Sequence, residues 1–216
     1  MGVANSRWPA IAGIVFVVLL IVGLVLIGDI PDASESDQEI ADYLADSDKH
    51  VLNIVGLYLW TLAGASFLWF VASLRGALRQ AEGEPGTLSG LAFGAGVVFT
   101  ALLMASGAAI AAVAGAIELG ESTDPAPDFV RMLPQLGFGM LLIGGGFAAI
   151  VLVLSTSILA LQTGVLPRWL AWLGFAAAVV LLFSFVFIPL IALPIWVLAV
   201  SVVWLTRGGE GQTATA

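Results

Sequence analysis

The chain has 216 residues, of which 60 % are hydrophobic and only 10 % charged, and its net charge is −8. A soluble domain cannot hide so much apolar surface behind so few charges, so the composition excludes one. The chain has no cysteine, which excludes disulfides, thiolate nucleophiles and cysteine-ligated metal clusters. Runs of 18 or more apolar residues recur, each long enough to cross about 30 Å of hydrocarbon. We therefore predict an all-α fold, a polytopic transmembrane bundle of six helices forming one domain over residues 1–206.

The first apolar run predicts a span at about residues 9–28, preceded by Arg7. A cleaved signal peptide is the alternative, because a positive start followed by an apolar run fits both. The run is longer than a usual signal core, and no small-x-small motif precedes Asp29. These two observations favour a retained span.

The loop over residues 29–50 holds eight carboxylates against the single cation Lys49. Ser36 and Glu39 have the spacing of a capping box, in which each side chain satisfies a backbone amide of the other residue. Three apolar residues follow at helical spacing: Ile40, Tyr43 and Leu44. We predict a short amphipathic helix over about residues 36–46 in this first outer loop, docked by its apolar edge as a lid. The alternative is a solvated, partly helical loop.

The next three apolar runs predict spans at about residues 51–74, 88–117 and 135–161. A connector with two arginines follows the second span and closes with a Pro-Gly turn signal. The third run is longer than one span requires, so we expect it to tilt or to protrude from the membrane.

The final apolar stretch, residues 166–205, would form a helix about 60 Å long, twice the hydrocarbon thickness. It must therefore reverse, and Pro189 and Pro194 mark the expected turn because proline interrupts a helix. This gives a fifth span at about residues 166–187 and a sixth at about 190–206.

The cations divide unequally between the two sides of the predicted membrane. One side receives five and the other two, and the cation-rich side of an inner-membrane protein is cytoplasmic. The five are Arg7, Arg75, Arg79, Arg168 and Arg207, and the two are Lys49 and Arg131. We therefore expect a multi-pass protein of the inner (plasma) membrane. Both termini, with a disordered tail at residues 207–216, are expected in the cytoplasm.

Between the predicted interfaces there is no Asp, Glu, Lys, Arg or His, which argues against proton- or ion-coupled transport. His50 is the only histidine, and Asp46 lies one helical turn away, which is compatible with a catalytic base. The favoured interpretation is an ordinary interfacial residue at the outer mouth of the second span. The acids of the first loop lack the glycine and terminal glutamate of an EF-hand, which favours simple solvation. We predict no catalytic, cofactor-binding or metal-binding residues.

Small residues recur where helices are expected to touch, as in Gly90-x-x-x-Gly94 and the three glycines at 144–146. Such steps let membrane helices approach closely. We expect packing within the bundle, with Gly94 against another helix, and dimerisation is the alternative. The glycines at 144–146 are also compatible with a helix that is broken inside the membrane.

The connector at residues 164–174 reads GVLPRWLAWLG. Together with the short outer helix and the Leu-Arg-x-x-Leu-Arg end of the second span, it resembles an uncharacterised bacterial family of six-span membrane proteins, domain of unknown function 4386. The resemblance covers most of the chain in outline. It implies six spans and brings no established activity with it.

The polar side chains left inside the spans point to no hydrolase, because hydroxyls in membrane helices usually bond to their own backbone. They are Asn53, Thr61, Ser66, Ser73, Ser155, Thr156 and Ser157. We predict a non-enzymatic structural or accessory component. It would bind lipid, itself or another membrane protein through Gly and Ala faces, and no nucleic acid. The alternative is a small carrier or channel for a neutral or lipophilic solute, and an intramembrane enzyme comes third. A hydrated midplane cavity would favour the carrier, and a solid core the accessory role.

Overall fold

The computed structural model describes residues 7–28, 30, 36–120 and 125–213, with side chains as far as residue 206. Within these ranges every regular element is a helix, which confirms the predicted all-α fold. The α-helices are α1 (Trp8–Ile27), α2 (Asp37–Leu44), α3 (Ser47–Glu82), α4 (Thr87–Ile110), α5 (Ala112–Glu118), α6 (Pro127–Gly139), α7 (Gly146–Thr163), α8 (Arg168–Leu181) and α9 (Ala192–Thr213). A π-helical segment, Met140–Gly145, joins α6 to α7, and a 3₁₀ turn, Ile188–Ile191, precedes α9.

Some predictions fall on residues outside the described ranges. These include several of the loop carboxylates: Asp29, Asp32, Glu35, Glu121 and Asp124. Residues 214–216 of the expected tail lie outside as well. The backbone of α9 itself runs to Thr213, into the stretch expected to be disordered.

In the described part of the chain, five helices are long and apolar enough to cross a membrane, which indicates a membrane-embedded protein. They are Trp8–Ile27, Ser47–Glu82, Thr87–Ile110, Pro127–Thr163 and Ile188–Thr206. α8 is also apolar but has only 14 residues, or about 21 Å of helix. The helix at the predicted fifth span is therefore shorter than the sequence suggested.

The long helices pack in the order of the chain. α1 contacts α3, α3 contacts α4, α4 contacts α7, α7 contacts α8, α8 contacts α9, and α9 returns to α1. The helices thus close a ring around one core.

Aromatic side chains fill the centre of this ring. The Phe67 ring centroid lies 4.6 Å from that of Phe16, 5.0 Å from that of Phe99 and 6.0 Å from that of Phe70. All four side chains are buried. Trp204 of α9 packs on Phe70 at 5.6 Å. The cluster therefore joins α1, α3, α4 and α9.

α3 continues through both arginines of the predicted connector and ends only at Glu82. Leu74 and Leu78 lie one turn apart and are both buried, so packing keeps these last turns helical. The Glu82 carboxylate then accepts hydrogen bonds from the backbone amides of Leu88 and Ser89, each at 2.8 Å. These amides have no partner within α4 itself, so Glu82 caps the next helix.

The third apolar run is not one helix, as expected for residues 88–117, but two. The backbone leaves helical geometry at Ala111 (φ −90°, ψ 3°), between α4 and α5. α5 then buries Val113 and Ala114 and carries Glu118 at its end. The excess length of this run is accommodated by a bend and a short extra helix.

α6 begins at Pro127, upstream of the predicted residue 135, because proline is tolerated in the first turn of a helix. Pro134 lies inside α6 and lacks the N–H that would bond one turn back. The π-helical segment follows shortly after, and its end includes two of the three glycines at 144–146. The helix is widened there but not broken.

The chain reverses direction at residues 182–187, before Pro189. Pro189 lies in the 3₁₀ turn and Pro194 in the first turn of α9. A proline at the start of a helix removes no internal hydrogen bond, so these prolines begin the returning helix instead of making the turn. The turn predicted at the prolines is therefore placed a few residues too late.

The prediction that Gly94 lies against another helix is wrong, because a Cβ placed there would meet no atom within 4 Å. Close approaches occur at other glycines. A Cβ at Gly56 would lie 3.0 Å from the carbonyl oxygen of Gly23, and one at Gly137 would lie 2.8 Å from that of Ser106. α1 thus meets α3, and α6 meets α4, almost backbone to backbone.

Candidate functional site

α2 begins with a complete capping box. The Ser36 amide donates to Glu39 Oε2 at 2.7 Å, and the Glu39 amide donates to Ser36 Oγ at 3.3 Å. The bonds from Ser36, first its backbone amide and then its hydroxyl, hold the pKa of Glu39 below its ordinary value of 4.5. So short a helix therefore starts with its first amides satisfied.

α2 lies across the ends of α5 and α6. Its buried side chains, Ile40 and Tyr43, contact Val113 of α5 and Val130 of α6. Partly buried residues extend the contact: Leu44, Ile117 and Leu133. Arg131 of α6 forms an ion pair with Asp37 of α2. The helix is thus held by an apolar face and by one charged contact.

Where α2 meets α3 and α5 lies a group of polar side chains that we call the α2 polar cluster: the buried Tyr43, His50 and Asn53, and the partly exposed Glu118. His50 and Asn53 lie in the first two turns of α3 and are 1 % and 2 % exposed. The His50 ring meets the Tyr43 ring edge-on, with 5.1 Å between centroids. Asn53 Nδ2 donates to the Lys49 carbonyl at 2.8 Å and to the Tyr43 hydroxyl at 3.5 Å.

His50 has a different carboxylate partner from the expected one. Its Nδ1 lies 3.4 Å from Oε1 of Glu118, at the end of α5. Asp46 instead accepts from the Lys49 amide at 3.3 Å and caps the start of α3. An ionised carboxylate only accepts hydrogen bonds, so we assign the proton of this contact to Nδ1, and in that tautomer Nε2 is an acceptor. His50 lies at the mouth of the second span as expected, but in a buried position.

Two buried acceptors of the cluster have no hydrogen-bond donor. In the part of the chain that the structure describes, neither His50 Nε2 nor Asn53 Oδ1 has a partner. Burial raises the pKa of Tyr43 to about 12, so its phenol is neutral. A buried polar atom without a partner is costly, so the arrangement is suited to a molecule that donates hydrogen bonds.

The hydroxyl side chains that the sequence places inside the spans lie away from this cluster. Thr61 and Ser73 donate to carbonyls one turn back on α3, at 3.0 Å and 2.9 Å. Ser155, Thr156 and Ser157 are buried in α7, where Ser157 packs into the space left by a glycine of α8. The structure does not bring any of them to His50. Among the described residues, no three His, Cys, Asp or Glu side chains lie close enough together to hold a metal ion.

A second unusual place is the reversal between α8 and α9, residues 182–187, which we call the tip. The Ser184 hydroxyl donates to the carbonyl oxygen of Leu142, in the π-helical segment, at 2.6 Å. Gly146 makes the space for this side chain, because a Cβ there would collide with Ser184. The tip is therefore attached to the widened turn of the fourth long helix.

No protein-family model matches the chain, and no curated protein or solved structure is similar to it. The resemblance to domain of unknown function 4386 therefore stays a prediction that rests on the connector at residues 164–174.

Sequence reasoning missed Glu118 as a partner of His50. The two residues are 68 positions apart, and Glu118 lies on the short helix α5, which the sequence did not separate from the third run. The available signal was position, because both residues stand at the same predicted end of adjacent apolar runs.

Proposed function

We propose that the chain is a six-span integral protein of the inner membrane, with both termini in the cytoplasm. α8 begins directly after the short turn that follows Thr163. The tip then bonds to Leu142, which lies about 30 Å from Thr163 along the fourth helix at 1.5 Å per residue. α8 and the tip together thus cover the thickness of the hydrocarbon, which supports a fifth crossing by a short helix.

The surface of the tip supports the same placement. Leu182, Phe183, Phe185 and Val186 are all exposed. Such a group of apolar side chains is compatible with lipid and unfavourable in water. The turn sits at or just inside the membrane boundary.

We infer a non-enzymatic structural or accessory role, and the filled core is the observation that carries it. Trp60 and Trp196, which are 2 % and 1 % exposed, belong to the same buried core as the central phenylalanines. A solute path along the ring axis would have to displace these large side chains, since cores pack closely. Partners would bind instead on the outer surface, where the open side of Gly94 admits a lipid chain or another helix.

A carrier for a neutral or lipophilic solute remains the second candidate, because one observation favours it. π-helical segments are frequent at functional sites, and irregular helices often form transporter binding sites. Here the carbonyl of Leu142 is already occupied by Ser184, so this irregular turn serves packing. The π-helical segment therefore supports a carrier only weakly. The filled core gives stronger support to the accessory role.

Two experiments test the proposal. A periplasm-active reporter fused after Ala216 should be inactive, and strong activity would overturn the six-span topology. Purified protein in liposomes should add no flux of glycerol or urea over protein-free liposomes. Protein-dependent flux that Trp60→Ala increases would replace the accessory role by the carrier.

A further inference from the structure

We propose that the α2 polar cluster binds a primary ammonium group, carried either by a lipid headgroup or by a free amine. The inference deepens the proposed function, on which it rests for the position of the cluster at the level of the headgroups. His50 and Asn53 stand where the second apolar run begins, and that boundary is where headgroups lie.

The two unpartnered atoms of the cluster are both hydrogen-bond acceptors. With the Nδ1 proton directed at Glu118, His50 offers a lone pair at Nε2. Asn53 uses Nδ2 for Lys49 and Tyr43 and so offers Oδ1, which is also an acceptor. A ligand that satisfied both atoms would donate two hydrogen bonds. An –NH₃⁺ group has three donors and is about the size of one water molecule.

The surroundings of the cluster are negatively charged. Among the described residues at this end of the bundle, carboxylates outnumber cations, which are Lys49 and Arg131. The carboxylates are Asp37, Glu39, Asp42, Asp46, Asp48, Glu118 and Asp128. A surface of this sign concentrates cations and repels anions. Glu118 brings one of these carboxylates next to the cluster, with its Oε1 3.4 Å from His50 Nδ1.

The helix α2 covers the cluster. α2 places Ile40 and Tyr43 over the cluster, and the capping box and the Asp37–Arg131 ion pair hold it there. A quaternary ammonium has no N–H to donate, so the cluster should discriminate between primary and trimethylated amines.

The wild-type protein tests this directly, because His50 is the only histidine in the chain. Protein labelled with ¹⁵N-histidine is placed in phosphatidylcholine nanodiscs at pH 8, where the Nε2 resonance reports one site. Phosphatidylethanolamine, ethylammonium and tetramethylammonium are then added separately. We expect phosphatidylethanolamine or ethylammonium to shift the Nε2 resonance saturably, and tetramethylammonium to leave it unchanged. A shift with the lipid alone identifies a headgroup site, and a shift with ethylammonium as well identifies a site open to free amines.

Variants show whether the shift arises in the cluster. Asn53→Leu removes one acceptor and should weaken binding at least about tenfold, as expected for one hydrogen bond to a charged group. Thr61→Val, on the exposed side of the same helix, is the matched control and should bind like wild type. An Nε2 resonance that neither primary amine changes would overturn the proposal and leave the pair bridged by water. That outcome would not affect the reporter fusion, which tests the topology separately.

Discussion

The region around α2 and the tip differ in charge and in the side chains that they expose. The region around α2 is charged and closes over buried polar groups, whereas the tip at residues 182–187 has no charge and exposes Phe183 and Phe185. The two also differ in height. The ring centroids of Phe187 and Phe138 are 6.2 Å apart. Phe138 itself lies about 16 Å along α6 from the start of that helix at Pro127. The tip is thus sunk below the level of α2.

The difference shows how each region satisfies its backbone. The tip closes on itself in successive turns, with the Ser184 amide bonded to Leu181 at 3.0 Å and the Val186 amide to Phe183 at 3.1 Å. The start of α2 uses a side chain, Glu39, for the same purpose. In hydrocarbon, backbone groups must be satisfied internally, whereas carboxylate caps are suited to water. The two ends therefore match two different solvents.

The largest expected effect comes from removing the apolar contact of α2. Replacing Ile40, Tyr43 and Leu44 together with Ser should undock the helix, since burial of each large apolar side chain contributes about 1.5–3 kcal/mol. An external protease should then cleave the loop at least about tenfold faster. Asp42→Asn is the control, because this exposed carboxylate accepts a hydrogen bond from Gln38 of the same helix and lies off the apolar face. Equal cleavage of wild type and the triple variant would show that α2 does not dock.

The second effect concerns the attachment of the tip. Gly146→Leu should collide with Ser184 and lower stability by about 1–3 kcal/mol, the usual cost of overpacking. Gly94→Leu, with open space around it, should leave the thermal midpoint in detergent nearly unchanged. Equal destabilisation by both variants would contradict the assignment of Gly94 to the outer surface.

The third effect concerns the difference in height. An impermeant maleimide should label a cysteine at Asp42 quickly, one at Leu190 more slowly, and one at Ala177 hardly at all. Asp42 is exposed on α2, Leu190 is half-buried next to the tip, and Ala177 is buried in α8. Labelling of Leu190→Cys as fast as Asp42→Cys would place the tip in water.

The smallest effect is that of pH on α2. The pKa of Glu39 is lowered in the folded chain, so the capping box stabilises α2 above pH 4.5. This contribution is lost as the pH falls through the lowered pKa and the carboxylate is protonated. Hydrogen exchange of the α2 amides should therefore become relatively faster in acid, and Glu39→Gln should remove much of this pH dependence. An identical pH profile for both proteins would exclude the cap as its cause.

The sequence by itself determined the helical class, the apolar runs and the capping box of α2. These features are local, because hydropathy and the Ser36–Glu39 spacing act within a few residues. The same local signals located the connector before α8, where Pro167 precedes the first residue of the helix.

Only the tertiary structure decided which faces meet. Lipid is as apolar as the core, so hydropathy does not distinguish the packed side of α4 from its outer side, and Gly94 was assigned to the wrong one. The contacts of His50 with Glu118 and of Ser184 with Leu142 join residues far apart in the chain. Glu118 follows the irregular backbone at Ala111 and Leu142 lies in the π-helical segment, and neither irregularity has a local pattern in the sequence.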